Sequence, residues 1–121
     1  MKIAVSATGK DIECLLDMRF GRCNFFQIHD SENGDFKVVD NNGQSSNGAA
    51  GIAASQQLID EKVDAIITGS LGPNAFKIIE KSGIKAYKCG NITIKSALEK
   101  LKNNELDEIN FAGPAHNGMG Q

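Results

Sequence analysis

The sequence predicts an α/β domain of three layers, built on a mixed five-stranded sheet in the spatial order 3-2-1-4-5 with strand two antiparallel. Three observations lead there. Up to Asp40 the apolar segments are short and alternating, with no helical period. From Ala49 onward, helical stripes take turns with short apolar runs, the pattern of α-β units on a parallel sheet. Between these parts sits one clear hairpin signal, Asn33-Gly34, which makes strand two run against its neighbours. Right-handed crossovers then carry the chain from strand one to strands four and five.

Each element has its own signal. Lys2 to Ala7 alternates and forms strand one. Thr8 to Cys23 has no period and is broken by Gly9, Asp11, Asp17 and Gly21, so it is a long loop, with a helical turn expected at Glu13 to Leu16. Loops of this length in small domains are usually functional or mobile. Phe25 to Asp30 is strand two, Ser31 to Asp35 the turn, and Phe36 to Asp40 strand three. Asn41 to Gly48 is a polar Gly/Asn/Ser loop, and Ala49 to Glu61 is a helix with a small-residue face. Val63 to Thr68 is a buried central strand. Gly72-Pro73-Asn74 opens a second helix, whose stripe is Ala75, Ile78 and Ile79 and whose stop is Gly83. Ile84 to Lys88 is strand five, and Ile94, Ala97, Leu98 and Leu101 mark the third helix. Residues 1–108 are therefore expected to form one domain, with 109–121 a flexible Gly-rich tail.

Composition excludes several functions. A formal charge of −2 argues against a nucleic-acid partner, which needs a basic face. No apolar run approaches the ~18–20 residues of a membrane span, and Met1 to Val5 run directly into Ser6 and Thr8 without a signal peptide. A cytoplasmic location without membrane association is expected. There is no G-x-x-x-x-G-K-[ST] phosphate loop, no spaced-glycine dinucleotide turn after strand one, and no acid in that strand to hold Mg²⁺. His29 and His116 are the only histidines, too few for a credible Ser/His/Asp set, and no enzymatic activity is expected. His29 ends strand two at the opposite rim and is read as a surface or hairpin-packing residue.

What remains is a concentration of chemistry at one end of the sheet. The C-terminal ends of strands one and four form the topological switch point, where open α/β sheets bind ligands. Cys14, Arg19 and Arg22 lie in the loop leaving strand one, and Cys23 lies just before strand two. Gly69, Ser70, Gly72 and Asn74 follow strand four into a helix N-terminus, whose free N–H groups favour anions, though Gly69 to Pro73 reads equally as a tight turn that lets strand and helix pack closely. Cys89 follows strand five. Three cysteines without paired spacing are a poor disulfide framework. Each thiol is open to two readings, a small buried hydrophobe or a ligand for a soft metal or metal–sulfur unit. The two arginines are either anion contacts or a solvated loop face. In the tail, His116 and Met119 carry borderline and soft donor atoms.

Three segments carry a family resemblance: Met18-Arg19-Phe20-Gly21-Arg22-Cys23-Asn24-Phe25-Phe26, Gly48-Ala49-Ala50-Gly51-Ile52, and Ile67-Thr68-Gly69-Ser70-Leu71-Gly72-Pro73-Asn74-Ala75-Phe76. Together they resemble the dinitrogenase iron–molybdenum cofactor biosynthesis family, which includes NifX and the C-terminal domain of NifB, over roughly residues 1–106. The resemblance implies a ribonuclease-H-like fold without nuclease function. It implies non-enzymatic binding or carriage of the iron–molybdenum cofactor, its precursor, or another iron–sulfur or molybdenum/copper–sulfur cluster. The partners it implies are proteins that donate or accept such clusters. Arg19, Arg22, Gly69, Ser70, Gly72 and Asn74 are then the cofactor-binding candidates, and Cys14, Cys23, Cys89 and His116 the metal-ligand candidates. The family often has His before the Phe-Gly pair, where this chain has Arg19, and protonated Arg cannot coordinate a metal. The alternative is a regulatory or interaction module that binds a protein or small anion at the same rim without metal.

Overall fold

The computed structural model describes residues 1–43 and 50–113. Its elements are β1 (Lys2–Ala7), β2 (Phe25–Asp30), β3 (Phe36–Asp40), α1 (Ala50–Asp60), β4 (Ala65–Thr68), α2 (Pro73–Ser82), β5 (Lys85–Lys88), α3 (Ile94–Lys102) and β6 (Asp107–Glu108). They form one sheet in the order β3-β2-β1-β4-β5-β6. β1 runs parallel to β4, and β4 to β5, whereas β2 is antiparallel to both β1 and β3. The expected order and directions hold.

The sheet has six strands where five were expected. β6 pairs antiparallel with β5 through Tyr87–Glu108 and Lys88–Asp107. Two exposed acids carry no alternating apolar signal, so nothing in the sequence marks them as a strand. The pairing is extended beyond β6, where Ile109 N–H donates to Ala86 O at 2.7 Å and Ile109 packs on the core. Gly113 N–H then donates to Leu71 O, also at 2.7 Å. The first part of the expected tail is thus bound along the sheet edge, and residues 114–121 lie outside the described residues.

Burial divides into two cores, one on each face. On one, Ala4, Phe26, Ile28 and Ile66 meet Ala54 and Leu58 of α1 and Ala75 and Ile79 of α2. On the other, Ile3, Val5, Ala65 and Ile67 meet Ile94 and Ala97 of α3, together with Leu16. β1 is covered on both faces, which is why its apolar run is nearly continuous. The helical turn expected at Glu13 to Leu16 is absent. That stretch instead forms bridges, Ala7 with Leu16 and Leu15 with Thr93. The amide of Gln27 holds the chain before it by donating to Gly9 O and Asp11 O at 3.1 and 2.8 Å. His29 Nε2 lies 2.9 Å from Gln27 Oε1, and the ring stacks on Phe36, so of the surface and hairpin-packing readings the second holds. Among the described residues no helix is long and apolar enough to cross a membrane.

Candidate functional site

The chain leaving β1 crosses the switch point and fills it. Asp17 N–H donates to Ser6 O at 2.9 Å, and Ser6 Oγ donates back to Asp17 O at 2.5 Å. Thr68, at the matching end of β4, places Oγ1 2.8 Å from Ser6 Oγ. These buried hydroxyls tie the loop to the two strands that part at this point. Arg19 then forms a bridge with Ser70, and Met18 packs so closely on Gly69 that a Cβ there would sit 2.5 Å from the Met18 carbonyl oxygen. Two residues on, Gly21 lies against the start of α1, where a Cβ would come within 2.9 Å of Gly51 N. These glycines are required because backbone touches backbone.

Asn41, at the end of β3, completes the fixing of this loop. Its side-chain amide lies 2.9 Å from Cys23 O and 3.2 Å from Gly21 O, and its Oδ1 accepts from Gly43 N–H at 2.8 Å. The residue is buried, and its partners are 18 and 20 positions away. Residues 17–23 are therefore a rigid strap across the switch point, not a mobile loop. Residues 18–22, the first turn of α1 and residues 69–75 adjoin one another and form a rim on this strap.

Charge on this rim is set by one pair and two helix ends. Asp17 is buried, and burial pushes its carboxyl up. Hydrogen bonds from the Arg19 side chain and backbone N–H, with the charge of Arg19, outweigh that and hold it below the usual range. Arg19 Nε and Nη2 reach Asp17 Oδ1 and Oδ2 at 3.0 and 2.9 Å. The guanidinium stays half exposed, so the pair fixes its place without removing it from solvent. Arg22 is exposed. α1 and α2 both begin at this end, and neither has an acid in its first turn. Their first turns nearly touch, Gly51 against Ala75. Two partial positive charges therefore lie side by side.

Gly72 is the informative position. It is the N-cap of α2, with φ −68° and ψ 172°, a conformation open to any residue, and its helix end has no side-chain cap. Among the described residues a Cβ there would meet nothing within 4 Å. Neither backbone geometry nor packing requires glycine, and the effect of having one is an open approach to the N–H groups of α2. The start of α3, at the same end but on the other face, is closed. Ile94 and Lys95 N–H groups donate to Cys14 O and Ile12 O, both at 2.9 Å, and Thr93 caps Ser96 N.

The three thiols share an end of the sheet but not a face. Cys23 is fully buried in the core under α1 and α2. Burial, and then the nearby Asp17 charge, push its thiol up to about 12, so it stays protonated. Cys89 is buried in the core under α3, and burial pushes it up as well. Cys14 is partly exposed beside Gly9 in the segment that closes α3. Among the described residues no three His, Cys, Asp or Glu side chains are grouped to hold a metal ion. His116 lies outside the described residues. The strap and residues 69–74 come together as expected. Sequence reasoning missed Asp17, Asn41, Ser6 and Thr68, although a polar residue within an apolar strand, as Ser6 is, was an available signal.

The Asp17 pair gives a pH prediction. A carboxyl lowered in the folded state contributes stability above its unfolded value, about 3.9, and that contribution is lost as pH falls through the folded value. Acid unfolding followed by circular dichroism should therefore show a shallower loss below about pH 4 in Asp17→Asn than in the wild type, from a lower starting stability. An unchanged acid slope would remove Asp17 from the account.

Comparison with known proteins places the fold in a family. A family model described as dinitrogenase iron-molybdenum cofactor matches residues 1–104. The apo form of the orange protein from Desulfovibrio gigas superposes with a TM-score of 0.88 at 30% identity, covering 93% of this chain and 95% of that one. A putative NifB protein from Thermotoga superposes at 0.81 with 28% identity, over 93% and 96%. An uncharacterised protein of Methanocaldococcus jannaschii is 27% identical over 97 residues, 78% of this chain and 82% of its own length.

Proposed function

The chain belongs to the dinitrogenase iron–molybdenum cofactor family, and from that premise we propose that it is a non-enzymatic carrier of an anionic metal–sulfur cluster. The iron–molybdenum cofactor, its precursor, and iron–sulfur or molybdenum/copper–sulfur clusters are the candidate cargo. The observation that carries the reading is the uncapped start of α2 at Gly72, open to solvent and set between the Arg19 strap and the first turn of α1. The donor set fits a guest held by charge and N–H hydrogen bonds. It does not fit one held by thiolates, since the accessible rim offers none. In this reading Arg19 and Arg22 contact the cluster's negative edge, the chain at Gly69 and Ser70 lines the guest, and the start of α2 at Gly72 and Asn74 supplies backbone donors. Asp17 and Asn41 are positioning residues.

A carrier must also meet the proteins that load and unload it. Two exposed apolar side chains belong to segments that adjoin the rim. Met18 lies against Gly69, and Phe111 is 79% exposed, two residues before Gly113, which lies against Ser70. They suit transient docking of a donor or acceptor protein.

The test is anaerobic uptake. Protein incubated with a soluble iron–molybdenum or copper–molybdenum sulfide cluster and passed through a desalting column should elute coloured, with metal in stoichiometric amount. Arg22→Glu, which disturbs no hydrogen bond of the strap, should reduce retention about tenfold, from the usual strength of one charge-assisted contact. Colourless wild-type protein would refute the carrier.

A further inference from the structure

A buried hydrogen-bonded unit lies away from the rim, on the face of the sheet toward α3. Gln27 and His29 stand opposite Val5 and Ile3 of β1, whose side chains belong to that core. Both are buried, an amide and an imidazole in a strand whose other buried residues are Phe26 and Ile28. Gln27 Nε2 donates to Gly9 O and Asp11 O, so both its protons are used and Oε1 can only accept. His29 Nε2, 2.9 Å from that oxygen, must carry the proton, which leaves Nδ1 of the neutral ring bare. The ring also stacks on Phe36, with centroids 4.6 Å apart.

The Gln27 amide fixes more than two carbonyls. The segment it holds runs on to Ile12 and Cys14, whose carbonyls accept from Lys95 and Ile94 N–H at the start of α3. Ring, amide, loop and helix start thus form one chain of contacts. Protonation of the ring would leave its Nε2 bond in place but add a proton at Nδ1 and a charge. Among the described residues nothing accepts from Nδ1. Lys2, Asp30 and Lys37 belong to the opposite face of the sheet. Asp11 is engaged by Glu13 N–H, Lys10 lies over Phe25, and the Met1 amine lies by Glu32. Asp35 and Asp40 of the hairpin, and Lys95, Glu99 and Lys102 of α3, are exposed, while Lys100 pairs with Glu105. Burial alone holds the ring below its ordinary value, with no neighbouring charge to offset it. A charged ring therefore gains by moving out to water, and Gln27 Oε1 then loses its donor.

We infer that His29 and Gln27 form a proton-sensitive latch, in which protonation of His29 frees residues 9–14 and with them the start of α3. The latch goes beyond the carrier reading and does not depend on it. A histidine lowered in the folded state favours the closed form above its unfolded value, about 6.5, and that preference is lost as pH falls through the folded value.

The test is a pH series on the ¹⁵N-labelled full chain without cargo, from about pH 8 to about pH 4.5. Ring signals absent from His29→Gln identify His29, which should be neutral and protonated at Nε2 at the upper end. As the ring charges, exchange protection of the Ile94 and Lys95 N–H groups, corrected for the intrinsic pH dependence of exchange, should fall about tenfold. His29→Gln, with a neutral amide in place of the ring, should keep its protection through the same range. Gln27→Met, which leaves the ring free to titrate, should show the lower protection at both ends. Wild-type protection that does not follow the ring, an equal fall in His29→Gln, or full protection in Gln27→Met would overturn the latch. So would a ring protonated at Nδ1 at the upper end, or one still neutral at the lower.

Discussion

Gly72→Asp should make the protein as stable as wild type, or more so, while abolishing cluster retention. The N-cap conformation at Gly72 accepts aspartate without strain, and a Cβ there meets none of the described residues. A capping carboxylate satisfies an open N–H group and suits the positive end of α2, together raising stability by up to about 1 kcal/mol. The same carboxylate would stand where the guest's negative edge is expected. Two like charges about 4 Å apart near a protein surface repel by about 4 kcal/mol, so a loss of at least ~100-fold in affinity follows. Thermal unfolding and metal retention, measured on one preparation, therefore move in opposite directions. A fall in stability would mean the helix end is already capped, and unchanged retention would place the guest elsewhere.

Asn41→Ala should have the largest effect on stability, about 2–4 kcal/mol, because it leaves the buried Cys23 carbonyl and Gly43 N–H and the part-buried Gly21 carbonyl without the side chain that pairs them. The strap would loosen with it. Cys23, sealed from solvent in the wild type, should then react with an alkylating reagent under native conditions. Chemical denaturation and native-state thiol labelling check the two halves of this expectation. A loss under 1 kcal/mol with Cys23 still protected would show that the strap is held by Ser6 and Thr68 alone.

Much of the fold was legible because it is written in local pattern. β1, β2 and β3 run from Lys2 to Ala7, Phe25 to Asp30 and Phe36 to Asp40 in both sequence and structure, since alternation and one Asn-Gly turn define them. β6 was not legible, being two acids recruited by the edge of β5. Glu13 to Leu16 failed for a related reason. Its conformation is decided by partners, Ala7 and Thr93, that no local window contains.

The site was half legible. Glycine and proline around Gly72 mark a helix start by composition alone, and the arginines near Gly21 could be placed at the same end from strand direction. The faces were harder. Cys89 has the parity of Tyr87, which packs on the core under α3, so strand alternation would have put them on the same face. Cys23 has the parity of Phe25, on that same face, yet it lies with Phe26 in the opposite core. Between Cys23 and β2 stands Asn24, outside the strand, where alternation no longer governs, and the Asn41 contacts fix the thiol inward. Asn41 and Asp17 were invisible for the simplest reason. Each is a common polar loop residue whose role comes from where the fold delivers its partners.

The proposed carrier site is the rim over the strap and the start of α2. Backbone amide signals of ¹⁵N-labelled protein, followed while the cluster is added under anaerobic conditions, report whether the guest binds there. Signals of Arg19 to Arg22, Gly51, Ser70 to Gly72, and Asn74 to Ala75 should shift or broaden together. Those of Ile94 and Lys95, on the closed helix start under the other face, should stay in place. Shifts centred on Cys14, Cys89 and the start of α3 would contradict the account.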